Sequence, residues 1–291
     1  MSFRSNIGII ESSKFQFNDN ALAYFDEVGV VDSANQRWLS ELADMLDSTG
    51  KPWLYLSGRD GLTNGSGLFW SSMNSSSDSD IKFDIVNPSW SATGLELGTT
   101  GYAGYQLRDL PEFFEAGGSP PDMTFISRAK SAGGYTANAP NHGILQLGLV
   151  GNTGPENGVV YATTTSLVAG EKEIFRSVNG GIGSAVYTTS GSDYVDTFHN
   201  VTLNFKADYS IHTPTLHINE LGLVLTTTGS FRFNYENSGN NYRVHIGAER
   251  DLLGGVDTTV FDGVIHDWIL SSANIGSVLA SQIRAHLVAG P

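Results

Sequence analysis

The sequence predicts a mainly β protein, an antiparallel sandwich with a small helical N-terminal segment and a short C-terminal helix. Before residue 53 the apolar residues follow a helical spacing; after it they alternate with polar residues in short runs separated by Gly, Asn, Ser and Asp. The composition agrees, because 34 glycines and 16% charged residues suit many short strands joined by tight turns. With 291 residues the chain can form one large sandwich and a smaller appendage.

Residues 1–52 are predicted to be a helical segment for docking or assembly. A first helix over 19–27 carries Ala21, Leu22 and Phe25 at helical spacing and stops at Gly29. A second helix over 33–49 starts with Ser33 and Gln36 in a capping-box pattern. Its apolar stripe consists of Trp38, Leu39, Leu42, Met45 and Leu46.

Residues 53–291 are predicted to form one β domain. Strict alternation at Met123 and Phe125, and again after residue 200, indicates strands with one buried and one wetter face. Residues 261–270 are apolar on both faces, which indicates a strand covered on each side. A helix over 277–288 follows, with Val278, Leu279, Ile283 and Leu287 expected to face inward.

Two segments near the end of the chain carry a family resemblance. Residues 242–250 (YRVHIGAER) and 259–271 (TVFDGVIHDWILS), followed by a short helix, resemble the closing part of laminin-G-like, concanavalin A-like domains. The resemblance implies an antiparallel jelly-roll sandwich. In it Phe261 and Ile265 would anchor the last long strand, Gly263 would allow a close approach of another chain segment, and Trp268 would be structural.

The front of the chain resembles the N-terminal part of bacteriophage and prophage structural proteins that carry this jelly roll. The segments concerned are 19–25 (DNALAYF), 31–32, 46–50 (LDSTG), 53–56 (WLYL), 64–69 (NGSGLF) and 90–98 (WSATGLELG). The resemblance implies a virion protein assembled in the host cytoplasm, placed at a tail fibre or tip or as a head or collar decoration. Its expected partners are other virion proteins, further copies of itself, by analogy as a trimer, and a host glycan.

The composition of the chain argues against several kinds of partner and site. A formal net charge of -14 and only 16 scattered Lys and Arg residues argue against binding to nucleic acid. There are no cysteines, so disulfides and thiolate metal sites are excluded. No apolar run is long enough to span a membrane, and the first residues lack the apolar core of a secretory signal.

The sequence does not show the carboxylate pair of a glycoside hydrolase. Glu171 and Glu173 are the nearest approximation, since alternate positions of a strand share a face. A solvated strand edge beside Lys172 is the favoured interpretation of these two residues, so we expect a protein that is not an enzyme. Polysaccharide hydrolysis is kept as the least favoured alternative.

A calcium ion is the one cofactor that the laminin-G-like resemblance suggests. Loop aspartates could supply its oxygen ligands, and the candidates are Asp193, Asp196, Asp257 and Asp262. The alternative interpretation is that these carboxylates accept hydrogen bonds from turn amides.

Sugar binding would need an exposed aromatic ring as a stacking platform. Trp70, Trp90 and Tyr135 lie in or near polar segments and are the candidates, with packing as the alternative role. Two functions therefore stand ahead of hydrolysis: a structural protein of the virion surface, and a lectin-like adhesin that binds a glycan.

Overall fold

The computed structural model describes the helices, most of one sheet and the backbone pairing of a second sheet. The residues described are 15–59, 62, 70–71, 84–86, 89–91, 94–96, 102–106, 122–131, 142–149, 158–163, 171–178, 183–188, 198–206, 215–218, 221–223, 226–229, 242–246, 248–249, 259–260 and 263–291.

The first helix, α1 (Asp19–Val28), has a cap at each end. The Asn18 side chain accepts hydrogen bonds from the backbone N–H groups of Asn20 and Ala21, which have no partner inside the helix. Gly29 ends the helix in the left-handed region at φ 78°, a conformation that glycine adopts without steric cost. The predicted stop at Gly29 is confirmed.

The second helix, α2 (Ser33–Asp47), begins one residue earlier than a Ser33 cap would place it. Asp32 is the N-cap and accepts from the N–H groups of Ala34 and Asn35. The predicted capping box is therefore wrong, and the Gln36 amide donates instead to the Val30 carbonyl at 2.8 Å. The predicted apolar stripe is confirmed: Trp38, Leu39, Leu42 and Leu46 are buried, and Met45 packs partly buried against them.

Sheet I holds the central strands of the described fold. Its main strand order is β14-β13-β12-β7-β19-β1-β2, and β5 pairs with both β19 and β4. The strands are β1 (Trp53–Ser57), β2 (Trp70–Ser71), β4 (Ser89–Ser91), β5 (Gly94–Glu96), β7 (Asp122–Ser131), β12 (His199–Lys206), β13 (Thr215–Ile218), β14 (Leu221–Leu223) and β19 (Gly263–Ser271). The pairings in this sheet are antiparallel.

Sheet II is also antiparallel, with the order β15-β11-β10-β9-β8-β16-β6-β3. Its strands are β3 (Asp84–Val86), β6 (Tyr102–Gln106), β8 (His142–Leu149), β9 (Gly158–Thr163), β10 (Glu171–Val178), β11 (Gly183–Thr188), β15 (Thr226–Gly229) and β16 (Tyr242–Ile246). A separate pair joins β17 (Ala248–Glu249) to β18 (Thr259–Val260). The predicted mainly β, antiparallel class is confirmed.

Sheet I is buried on both faces at its centre. On one face Trp53, Tyr55, Ile126 and Ile269 share a core with the helices. On the other face a second set of side chains is fully buried, namely Leu54, Leu56, Phe125, Trp268 and Leu270. The covered strand predicted over 261–270 is confirmed for the described part, β19. The wetter face predicted for the strand of Met123 and Phe125 is wrong, because Thr124 and Ile126 are fully buried as well.

The third helix, α3 (Ser277–Ala289), lies in the same layer as α1 and α2. Ile283 and Leu287 are fully buried and Leu279 partly buried, as predicted, whereas Val278 is 72% exposed, contrary to the prediction.

Residues from all three helices and from sheet I form one continuous core, so the helical segment packs on the β domain rather than apart from it. The division at residue 52 stays a prediction. No described helix is long and apolar enough to cross a membrane.

Candidate functional site

The carboxylates considered for hydrolysis lie on β10 of sheet II. Glu171 pairs with Thr188 and Glu173 with Val186, and the register shifts only after Glu173. The two positions therefore lie on one face of the strand, as their spacing predicts. Among the described residues no group of three or more His, Asp and Glu side chains could hold a metal ion.

The tryptophans considered for sugar binding lie on short strands of sheet I. Trp70 is on β2 opposite Tyr55, and Trp90 is on β4 opposite Leu95, so the pairing does not bring the two together. Trp90 is half-buried, and its indole nitrogen is buried without a hydrogen-bond partner among the described residues. The remaining candidates lie outside the described residues: Tyr135, the four calcium candidates Asp193, Asp196, Asp257 and Asp262, and the anchor Phe261.

The other three predicted anchor residues lie on β19. Ile265 and Trp268 are fully buried, and Gly263 opens the strand opposite Ser131 of β7. Close approaches also occur beside this strand, where β1 ends and β5 begins. A Cβ on Gly58 would lie 2.0 Å from the Ile265 carbonyl oxygen, and Gly94 has a φ of 134°. These glycines let β1 and β5 follow one another along the same edge of β19.

A buried ion pair joins sheet I to the helical layer. Asp267, fully buried on β19, accepts two hydrogen bonds from Arg59 Nε, at 2.8 and 3.1 Å, and one from Nη2 at 2.5 Å. The Tyr55 hydroxyl donates to the same carboxylate at 2.8 Å. Arg59 Nη2 also donates to the Leu287 carbonyl near the end of α3. The pair therefore connects the end of β1, the middle of β19 and α3.

The pKa values of Tyr55 and Arg59 are both raised in this group. Burial raises the pKa of Tyr55 well above its usual value, and the negative charge of Asp267 raises it further. Burial opposes the charged form of Arg59, but the hydrogen bonds and the charge of Asp267 raise its pKa above the ordinary value. Arg59 also lies 5.0 Å from the centre of the Trp38 ring, which stacks on His286. With every partner supplied from within the chain, this is a structural connection.

A second group lies on the same side of sheet I, and we call Phe198, Arg128, Lys130 and His266 the Phe198 cluster. The Arg128 guanidinium carbon lies 4.8 Å from the centre of the Phe198 ring, and Lys130 Nζ lies 5.5 Å from it. The His266 ring lies 4.0 Å from the Phe198 ring. All four residues are half-buried, so their side chains are packed together and still reach solvent.

The strand register explains why these four residues meet. Arg128 and Lys130 are alternate residues of β7 and so share a face, and Phe198 comes directly before β12, which pairs with β7. On the other side, the register of β19 shifts between Ile265 and Asp267, so that His266 is the extra residue of a β-bulge. A bulge redirects side chains, and here it places the imidazole ring against Phe198.

Counted over the described residues, the Phe198 cluster has more positive than negative charge around it. Burial lowers the pKa of Arg128, and the nearby positive charge of Arg59 lowers it further. The carboxylate across the strand from Arg128 is Asp267, which Arg59 already binds. Lys130 pairs with Val264 of β19, which pairs in turn with Glu96 of β5. The Glu96 carboxylate accepts a hydrogen bond from Ser91. Such an arrangement can bind an anionic group.

Sequence reasoning did not find this cluster. Its detectable signal is the pair Arg128 and Lys130, two basic residues at alternate positions of one strand in a chain with only 16 Lys and Arg. Phe198 and His266 carry no such signal. Phe198 reaches the cluster only because β12 pairs with β7, and His266 only because of the bulge in β19.

No family model matches this chain, and no curated protein sequence matches it. Among solved structures, the Trypanosoma rangeli sialidase in complex with 2,3-difluorosialic acid aligns with 88% of this chain at 14% identity and a TM-score of 0.53. The chain spans 38% of the length of that sialidase. The likeness shows a shared fold over most of the chain.

Two further solved structures align less closely. The CBM40 of the Ruminococcus gnavus IT-sialidase aligns with 72% of this chain and 97% of its own at 16% identity and a TM-score of 0.45. The NanB sialidase from Streptococcus pneumoniae aligns with 64% of this chain and 26% of its own at 12% identity and a TM-score of 0.46.

Proposed function

We propose that this chain is a non-enzymatic structural protein of the bacteriophage particle surface, built as a concanavalin A-like jelly roll. The observation that supports the proposal is the single core that α1, α2 and α3 share with sheet I. The N-terminal segment that resembles phage structural proteins packs on sheet I through this core. In a module built in this way the helices and sheet I would be carried on the particle as one unit.

The test of this proposal is the location of the protein. Particles of the phage that carries the gene would be purified by density gradient, and labelled antibodies against this chain would be imaged on them by electron microscopy. We expect label at repeated positions on the tail, collar or head, and the protein in the particle fraction. Protein that stays in the cleared lysate while the particles carry no label would refute the proposal.

We further propose that the protein binds carbohydrate on the host surface, and the Phe198 cluster supports this second role. It combines a partly exposed aromatic ring with charged hydrogen-bond donors, which are the two kinds of group that sugar sites use. The test is a screen of the purified protein against an array of bacterial surface glycans. Reproducible binding that free glycan competes away is the expected result, and a complete absence of binding would refute this role.

Hydrolysis remains the alternative that a variant can test directly. We predict that Glu171→Gln with Glu173→Gln leaves the fold and glycan binding unchanged, because neither carboxylate is proposed to act on substrate. Reducing-sugar release from host polysaccharide, measured for the wild type and the double variant, checks this. Release by the wild type that the double variant lacks would establish the hydrolase instead.

A further inference from the structure

We propose that the Phe198 cluster binds the carboxylate of an acidic sugar at the end of an otherwise neutral glycan. This inference rests on the proposed carbohydrate-binding role and specifies its ligand. It assigns the contacts to the ends of Arg128 and Lys130, with His266 and Phe198 holding them in place.

The first argument is the hydrogen-bonding capacity of Arg128. A guanidinium has five N–H donors. Among the described residues Arg128 uses one of them in a hydrogen bond, from Nη1 to Asn200 Oδ1 at 3.0 Å. Neither Arg128 nor Lys130 forms a salt bridge with a described carboxylate. Two cations with donors to spare therefore lie on one aromatic ring, and a carboxylate would accept from both.

The second argument is the balance of charge around the cluster. Among the described residues near the cluster, the positive groups are Arg59, Arg128 and Lys130. The negative groups are Asp267 and Glu96. Asp267 is fully engaged by Arg59 and Tyr55, and Glu96 accepts from Ser91. Among the described residues, three positive charges therefore stand against two negative ones, in a chain whose net charge is -14.

The third argument limits the ligand to a single acidic sugar. A long polyanion such as nucleic acid needs a row of cations and is repelled by the negative charge of the rest of the chain. The Phe198 cluster offers two cations, 4.8 and 5.5 Å from the centre of one ring, which is enough for one carboxylate and too few for a polyanion. The half-buried Phe198 ring supplies apolar surface for the sugar ring.

The experiment compares matched glycans and matched variants. The probes are neutral oligosaccharides, the same oligosaccharides ending in one glucuronic or sialic acid, and hyaluronan as a polyanion. The variants are Arg128→Gln with Lys130→Gln, and the control Arg37→Gln with Lys51→Gln, which removes the same charge from α2 and the turn after it. Melting temperature and circular dichroism establish that each variant is folded.

We expect the wild type and the control to bind the glycans with an acidic end, more weakly as salt increases. The Arg128 and Lys130 double variant should lose about tenfold or more in affinity, the effect of losing charged hydrogen bonds. If the double variant does not fold, Lys130→Gln alone, whose described contact is with the Phe198 ring, should still weaken binding severalfold.

The outcomes separate this inference from the carbohydrate-binding role on which it rests. Equal binding of neutral and acidic oligosaccharides, stronger binding of hyaluronan, or unchanged affinity in both cluster variants would overturn the inference and leave carbohydrate binding standing. Binding to none of the glycans would overturn both.

Discussion

At Asp267 a carboxylate that is fully removed from water is held by a guanidinium and a phenol. Such a charge is tolerated only when its partners replace the hydrogen bonds that water would have made. Arg59 and Tyr55 do so here, and Arg59 in turn reaches the Leu287 carbonyl. The geometry of the ion pair thus depends on β1, β19 and α3 being assembled together.

We predict that Asp267→Asn lowers the free energy of unfolding by about 3 kcal/mol or more, because it leaves Arg59 buried without its counter-charge. Urea unfolding of the variant and the wild type measures this. Glu41→Gln is the matched control, since it breaks the exposed Arg37–Glu41 pair on α2 and should cost about 0.5 kcal/mol or less. Equal effects of the two substitutions would show that the buried pair does not stabilise the fold.

A second residue-scale prediction concerns alkaline pH. Tyr24 is buried and donates to the Leu62 carbonyl at 2.8 Å, and burial raises the pKa of its phenol. The folded state therefore favours the neutral phenol. The stability that this provides is complete below the ordinary pKa of about 10 and is lost as the pH rises from there toward the folded-state pKa.

The expected result is a free energy of unfolding that falls above about pH 10 and falls less steeply in Tyr24→Phe. Urea unfolding across this pH range measures the slope. At neutral pH the same variant should lose about 1 kcal/mol, the contribution of the hydrogen bond to Leu62. Identical slopes for variant and wild type would mean that Tyr24 does not control the alkaline loss of stability.

Among the elements, the helices follow most directly from the sequence, because their apolar stripes repeat at the helical period over more than two turns. The start of α2 at residue 33 was predicted correctly but its cap was not, because Asp32 and Ser33 are both good caps and the choice depends on backbone geometry. For β7 the strand itself was predicted, but its wetter face was wrong. Thr124 is polar and Ile126 apolar at alternating positions, so the sequence does not reveal that a helical layer covers both.

The cap of α2 can be tested by a pair of alanine substitutions. We predict that Asp32→Ala destabilises the protein by about 1 kcal/mol, because the N–H groups of Ala34 and Asn35 lose their acceptor. Ser33→Ala should have almost no effect, since Ser33 is exposed in the first turn. Thermal unfolding of both variants measures the difference, and the reverse order of effects would restore the Ser33 cap.

Only part of the candidate site could be predicted from the sequence. Arg128 and Lys130 are recognisable as a basic pair on one strand face, whereas Phe198 and His266 reach them through strand pairing and through the bulge in β19. Register and bulges are set by contacts between distant segments, which no local pattern contains. The polar sequence around Trp70 and Trp90 favoured them as sugar-binding residues, and both lie on strands of sheet I.

At the scale of the whole molecule, the described helices and sheet I behave as one packing unit. The Trp38 indole N–H donates to the His286 carbonyl at 3.1 Å, and the two rings stack 4.8 Å apart. Arg284 of α3 is buried and donates to Thr202 of β12. The second and third helices are thus bound to the same sheet and to each other, and neither should unfold alone.

We predict that Ile283→Asp destabilises the whole fold rather than loosening α3 alone, because a charge at a fully buried position of the shared core destabilises every element around it. Helical and β circular dichroism should then be lost in one transition, shifted to lower denaturant. Val278→Asp on the same helix is the control, as that side chain is 72% exposed and its substitution should change little. Loss of α3 with sheet I intact would contradict the prediction.

The pairing of β1 with β19 has a consequence for how the protein is made. Tyr55 and Asp267 are 212 positions apart in the chain, and the strands that carry them are neighbours at the centre of sheet I. During synthesis the ribosome releases β1 long before it makes β19. Until then the apolar side chains of β1 lack the neighbouring strand that they pack beside in the folded protein. Folding of this topology is expected to be slow and to finish after translation, and the nascent chain is exposed to aggregation until then.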